Sequence, residues 1–157
     1  MKPLYKGLLL AVLHCVIVLS LAGKYAWDRE RLPRVWVNAT PVDPNTPIRG
    51  RYVALALHVE PGEVRQDWGQ VTLSILDGKL TAIPSRTQTG LNLYHRGLVW
   101  MLNPRVDFFI PENVPDPSIR KAGEELWVEV SVPESGPPRP VRLGVKKNGV
   151  LEPLNLP

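Results

Sequence analysis

Residues 7–23 (GLLLAVLHCVIVLSLAG) carry no formal charge, and this run divides the chain into two physical environments. An uncharged apolar segment of that length is either a short membrane span or the apolar region of a signal peptide. The remainder of the chain is punctuated by proline. Sixteen of the 17 prolines lie from Pro33 onward, which excludes a long-helix bundle or a coiled coil there. About 125 residues remain, enough for one domain with a genuine core and too few for two.

Charge is partitioned in the same way. All 15 acidic residues and 17 of the 19 basic ones lie from Lys24 onward, so that part is nearly neutral although the whole chain carries +4. The isoelectric point of 9.4 is therefore no nucleic-acid footprint. The basic residues are scattered rather than striped between aromatics, and no glycine-rich phosphate loop is present, so nucleic acid is excluded as a partner.

The flanks of the apolar run favour an anchor. Tyr5 and the pair Tyr25/Trp27 bracket it at a separation of roughly 30 to 33 Å along a helix, the thickness of a hydrocarbon core with its aromatic belts. Ser20-Leu21-Ala22 also satisfies the small-x-small rule for cleavage after Ala22. Lys2 and Lys6 on one side and Lys24, Arg29, Arg31 and Arg34 on the other speak only weakly about orientation. A short tail, an apolar run and a compact domain are the layout of an exported, anchored domain. Cys15 lies inside the run and lacks the preceding small pair of a lipoprotein site, which leaves the domain after the run without thiols. The expected organisation is a cytoplasmic tail (1–6), a transmembrane anchor or uncleaved signal (7–23), a juxtamembrane linker (24–33) and an extracytoplasmic β domain (34–157).

From Arg34 the dominant period is two. Val35/Val37/Ala39 alternate with Trp36/Asn38, Val53/Leu55/Leu57/Val59 with Tyr52/Ala54/Ala56/His58, and Val71/Leu73/Ile75 with Thr72/Ser74. Leu126/Val128/Val130/Val132 and Val141/Leu143/Val145 continue the pattern, each set placing apolar side chains on one face of an extended strand. Asp77-Gly78 and Asn148-Gly149 are hairpin turns, since both dipeptides tolerate the positive φ that such turns demand. Leu98–Leu102 and Val106–Ile110 read as two further strands, Pro111–Ala122 as a surface loop, and Ser118–Glu125 as the one place for a helical turn. The fold expected is mainly β: an N-terminal transmembrane helix followed by a small antiparallel β-sandwich or partly closed β-barrel of seven to nine strands.

Chemistry is sparse. His58 and His95 lack the spacing of a metal pair, Asn38-Ala39-Thr40 is a bare glycosylation sequon, and no cofactor is implied. An anchored β domain containing Gly50-x-Tyr52-Val53 resembles the layout of membrane signal peptidases, whose serine nucleophile lies eight residues before a Gly-Asp pair. Here that position is Val42, and Arg51 replaces the acid, so the likeness fails at the nucleophile.

A broader likeness runs from Arg31-Leu32-Pro33 through Pro41-Val42-Asp43-Pro44 to Arg49-Gly50-Arg51-Tyr52-Val53-Ala54-Leu55-Ala56-Leu57. These segments, with Phe108-Phe109-Ile110-Pro111-Glu112 and the late Val128–Val132 strand, resemble the GDYXXLXY family of small bacterial proteins with an N-terminal membrane segment and a β-rich domain. Gly50, Tyr52 and Leu55 match the name motif, while Arg51 stands for Asp and Leu57 for Tyr; Pro44, Pro111 and Glu112 complete the family-like positions. The charge reversal at Arg51 argues for a structural position rather than a metal ligand or a proton carrier. The resemblance implies a single-pass protein of the bacterial inner membrane, its domain outside the cytoplasm, acting as a non-catalytic accessory to a membrane-protein partner. Trp36 and Trp127, opposite the apolar faces of their strands, and the Pro111–Pro117 loop are the expected contact residues, the other reading being that both tryptophans cover a second buried face of a sandwich. The alternative is a small-ligand or glycan-binding domain with weak hydrolase activity, in which Glu60, Glu112 and His58 or His95 would converge.

Overall fold

The computed structural model describes residues 3–42, 51–62 and 69–156. The chain forms two units, residues 1–32 and 33–157.

The first unit is one helix, α1 (Pro3–Arg31, 29 residues). It begins on proline, whose fixed φ suits a first helical turn, and ends just ahead of Pro33, which can neither continue it nor donate to it. The segment Tyr5–Asp28, 24 residues, is long and apolar enough to cross a membrane. Two polar side chains in its middle have partners within the helix: His14 Nδ1 donates to the Leu10 carbonyl at 2.9 Å and Ser20 Oγ to that of Ile17 at 2.8 Å. A lipid environment requires such internal partners, because it offers none of its own. The stretch 24–33, read as a juxtamembrane linker, is helical as far as Arg31. There Arg31 lies over the Trp27 ring, 3.8 Å from its centroid, an i,i+4 pair that the helical spacing itself creates.

The second unit holds eleven strands among the described residues: β1 (Arg34–Val42), β2 (Tyr52–Leu57), β3 (Glu60–Pro61), β4 (Val71–Leu76), β5 (Lys79–Pro84), β6 (Asn92–Arg96), β7 (Val99–Asn103), β8 (Val106–Phe109), β9 (Glu124–Ser131), β10 (Arg139–Lys147) and β11 (Val150–Pro153). The excess over seven to nine comes from the two-residue β3 and from β6, whose single buried side chain, Leu93, leaves almost no period-two signal. The strands form a six-stranded sheet ordered β11-β10-β9-β1-β2-β8, a three-stranded sheet β3-β5-β4 and the hairpin β6-β7. All pairs are antiparallel except β3 with β5, a short exception to the wholly antiparallel expectation. The sheets stay open rather than closing as a barrel.

One apolar core lies under all three sheets. Leu55 and Leu57 of β2, Leu102 of β7, Val128 of β9 and Leu143 of β10 are fully buried within it. Burial of each such side chain contributes about 1.5–3 kcal/mol. β2 departs from simple alternation, because Val53 to Leu57 are all buried and the small Ala54 and Ala56 occupy its second face. A continuous apolar run covered on both faces is the pattern of an interior strand.

Both expected hairpin turns form, with positive φ at Asp77 and Gly78 and at Asn148 and Gly149. The proline loop after β8 is exposed at Pro111 and Pro115 and pinned inward by Val114 and Pro117. No helical turn forms at Ser118–Glu125. The Asp116 carboxylate accepts both the backbone N–H (2.8 Å) and the hydroxyl (2.7 Å) of Ser118, a local alternative to helical bonding, and Glu124 already begins β9.

Candidate functional site

Directly opposed residues of an antiparallel sheet share a face. The register therefore fixes a working surface. Trp36 faces Glu129 and Asn38 faces Trp127 between β1 and β9, while Arg142 faces Glu129 and Gly144 faces Trp127 between β10 and β9. On the opposite side of the same strands Val37, Val128 and Leu143 enter the core. Alternation thus puts two tryptophans on the side away from the core, where they are half-buried.

Each ring is held in place. The Trp127 indole N–H donates to Glu125 Oε2 at 3.0 Å, and the Lys146 ammonium sits 4.6 Å from its ring centroid. Asn38 Nδ2 donates to the same Glu125 oxygen at 3.3 Å. Trp36 extends across β9 to Gly144, where the missing side chain makes room for it, and the Arg142 guanidinium lies 5.3 Å from its centroid. Arg142 is itself fixed by Glu129, its Nε 2.7 Å from Oε2.

His58 joins this face immediately after β2. Its backbone N–H donates to the Asn38 carbonyl at 2.9 Å, and Val59 donates to Trp100 of β7, also at 2.9 Å, so this short segment ties the six-stranded sheet to the β6-β7 hairpin. The His58 Nε2 and Thr40 Oγ1 lie 2.8 Å apart. Burial pushes the imidazole below its ordinary pKa, and the Glu125 carboxylate partly opposes that shift. A neutral imidazole beside a hydroxyl can donate at one nitrogen and accept at the other.

These elements enclose an open cleft of about 590 Å³, within the range of about 300–1,000 Å³ usual for ligand sites. Trp36, Trp127 and Trp100 line it together with Asn38, His58 and Glu60. Trp100 is backed by His95, its cross-strand partner, with ring centroids 4.3 Å apart. At the rim, Lys79 pairs with Glu60 at 3.1 Å, and Leu98, in the two-residue turn of the β6-β7 hairpin, is 98% exposed.

The anticipated convergence of acids and histidines forms only in part. His58 and Glu60 line the cleft, whereas His95 lies beside Trp100 and is not among the lining residues, and neither is Glu112, so the four do not converge. Among the described residues no group of three or more His, Cys, Asp or Glu side chains is placed to hold a metal.

The described family-like positions lie on β2, its edge partner β8 and the loop after β8. Gly50 and Pro44 lie outside the described residues. Tyr52 of β2 opposes Phe109 of β8, with ring centroids 6.0 Å apart, and Leu55 is a core residue. Arg51 Nη1 donates to the backbone carbonyl of Glu112, and the Ile110 N–H donates to the Arg51 carbonyl at 3.1 Å. Pro111 and the Glu112 side chain are exposed. These residues hold one strand to another and do not touch the cleft.

Trp36 and Trp127 lie on the side of their strands away from the core, as the alternation has it, whereas nothing in the sequence marks Trp100. In Val99-Trp100-Met101-Leu102 every residue is apolar, so no alternation distinguishes the cleft-lining side chain from the buried Leu102. Lys79 was equally hidden, being marked only as the residue after a hairpin turn. Compared with protein-family models, with curated proteins and with solved structures, the chain has no match in any of the three.

Proposed function

We propose that this protein is a membrane-anchored, non-catalytic binding module of the bacterial envelope. In this reading α1 spans the inner membrane, the β domain stands outside the cytoplasm, and the tryptophan cleft is where it engages another envelope component. One observation carries the proposal: three tryptophans, each contacted by a neighbouring side chain of its own domain, share a single open cleft. Rings already fixed in place lose little entropy when a ligand settles on them, so the surface is pre-organised for binding.

A non-catalytic role is supported by how the polar groups are used. Glu60 is paired with Lys79, Glu125 is held by Trp127 and Asn38, and Glu129 by Arg142. Such groups position rings and offer hydrogen bonds; they do not form an acid and base flanking a shared target. Membership of the GDYXXLXY family belongs to the same proposal. It is supported by the pairing of β2 with β8, which brings the two most family-like segments side by side.

The test is a photo-crosslinker in living membranes. A benzophenone side chain substituted for Leu98, at the rim, inserts into C–H bonds of any neighbour whatever its chemical class. A reproducible adduct that disappears on Trp127→Ala is expected. An absent adduct, or one indifferent to Trp36→Ala and Trp127→Ala, overturns the cleft as the binding surface.

A further inference from the structure

We infer that the ligand of the tryptophan cleft is an uncharged glycan built of equatorially substituted pyranose rings. The inference rests on the cleft being the binding surface and goes further by naming the chemistry that it recognises.

Stacking comes first. A pyranose with equatorial substituents presents a flat face of axial C–H bonds, weakly positive, and an indole presents a negative π face. Trp127 is restricted to this mode, because its N–H is committed to Glu125 and Lys146 already takes one of its sides. Trp100, backed by His95, supplies a second platform across the same cleft.

Charge then narrows the class. Lys79 is matched by Glu60, Arg142 by Glu129, and Lys146 lies over Trp127. A single-stranded nucleic acid would also stack on these rings, but it needs a positive groove that tracks its phosphates. Among the described residues these engaged charges provide no such field, and they suit a neutral ligand.

Hydrogen-bonding capacity separates a glycan from a proline-rich peptide, the other extended ligand of aromatic grooves. Proline carries no N–H, so a polyproline strand offers carbonyl acceptors and asks its groove for donors. Here the Trp127 N–H and one N–H of the Asn38 amide are engaged by Glu125. The capacity left over is mixed: the further lone pairs of the Glu60 carboxylate and the further N–H groups of the Lys79 ammonium, which pair with each other through one contact, and the second ring nitrogen of His58, whose Nε2 meets Thr40. Hydroxyl groups donate and accept, and a sugar chain can satisfy all three.

The experiment uses the full chain in phospholipid nanodiscs, free of glycoside detergents that would compete. Cellohexaose and the β-1,4 hexamer of N-acetylglucosamine are titrated against it beside a decaproline peptide, with binding followed by calorimetry and tryptophan emission. Saturable binding of at least one hexasaccharide is expected, weakened about tenfold or more by Trp127→Ala or Trp100→Ala. Trp127→Phe, which keeps a π face and drops the N–H, should retain most of the affinity, and Lys147→Ala outside the cleft should change nothing. Trp100→Ala serves if Trp127→Ala fails to fold. Decaproline binding without saccharide binding overturns the glycan and leaves the cleft as a binding surface. If neither binds a protein with an intact thermal transition, the glycan is again overturned, and the crosslink from position 98 separately decides whether the cleft binds anything.

Discussion

Trp36 rests against Gly144, two strands away: a β-carbon added at that glycine would stand 2.8 Å from the indole Cζ3 and 3.1 Å from the Glu152 carbonyl oxygen. The glycine is needed for space, since its φ is not among the positive values. Gly144→Ala should therefore push Trp36 out of its seat and destabilise the domain by about 1–3 kcal/mol, the usual cost of overpacking. Chemical denaturation gives the stability change. The accompanying signature is altered tryptophan emission, and unchanged emission would mean that the indole does not depend on that gap.

Arg142 and Lys147 lie on the same strand and both face glutamates of β9, yet their substitutions should differ. Glu129 is buried, at 8% exposure, and Arg142→Ala leaves its carboxylate without a partner. An unsatisfied buried acceptor costs about 1–3 kcal/mol, here towards the lower end because the Arg142 side is half exposed. Glu124, the partner of Lys147, is also shielded, but it keeps the Lys121 backbone N–H at 3.3 Å when the exposed Lys147 is removed, so Lys147→Ala should cost clearly less. Paired denaturation midpoints check the order. Arg142→Ala should also loosen Trp36, which its guanidinium covers.

His58 gives the domain a pH dependence of defined sign. Burial lowers its folded pKa beneath the ordinary 6.5, so between the two values the unfolded chain binds more protons. Stability accordingly rises with pH across that window and is lost as pH falls through 6.5 towards the folded value. Glu124 acts lower, because its carboxyl is held below the usual carboxylate range chiefly by the Lys121 backbone N–H, so its contribution disappears only at more acid pH. Urea midpoints measured between pH 7.5 and 5 should fall, and His58→Gln should flatten that decline. An equal slope in the variant would assign the effect to another group.

The Asn148-Gly149 turn joins β10 to β11 with both residues at positive φ, 50° and 83°. Gly149→Ala adds a β-carbon to a left-handed conformation, at an expected cost of about 1–2 kcal/mol. Nothing crowds that position, so backbone strain is the whole effect. A thermal midpoint as high as that of the parent would exclude it.

The features legible in the sequence are those whose signals are local. The hairpins at Asp77-Gly78 and Asn148-Gly149 were legible because the backbone geometry of a turn is set by the two residues in it. β1, β9 and β10 were legible because one face meets the core and the other does not, and the same alternation marked Trp36 and Trp127 as the outward side. β6 was not, having one buried residue, and neither was β3, whose pairing with β5 is a property of a distant strand. Trp100 joins the other two tryptophans only because the His58–Val59 segment bridges β1 and β7. That juxtaposition depends on the order in which strands assemble, which no spacing along the chain encodes.

The binding role assumes that the domain is exported and stays tethered, so it depends on the fate of the apolar helix. α1 runs without interruption through Ser20-Leu21-Ala22 to Arg31, so the residues that would flank a cleavage site are helical rather than extended. Retention of the anchor is the outcome expected from the aromatic flanks of the run, Tyr5 and the pair Tyr25/Trp27. The protein extracted from membranes should therefore have its full mass of 17.6 kDa. A mature form beginning at Gly23 would make the helix a signal and the domain a free one. A reporter active only outside the cytoplasm tests the other half. It belongs after Pro157, because Leu154 and Leu156 pack against the core and an insertion before them would disturb the fold. Activity of that fusion is expected, and a silent reporter on a stably folded domain would place the tryptophan cleft on the cytoplasmic side, away from any envelope glycan.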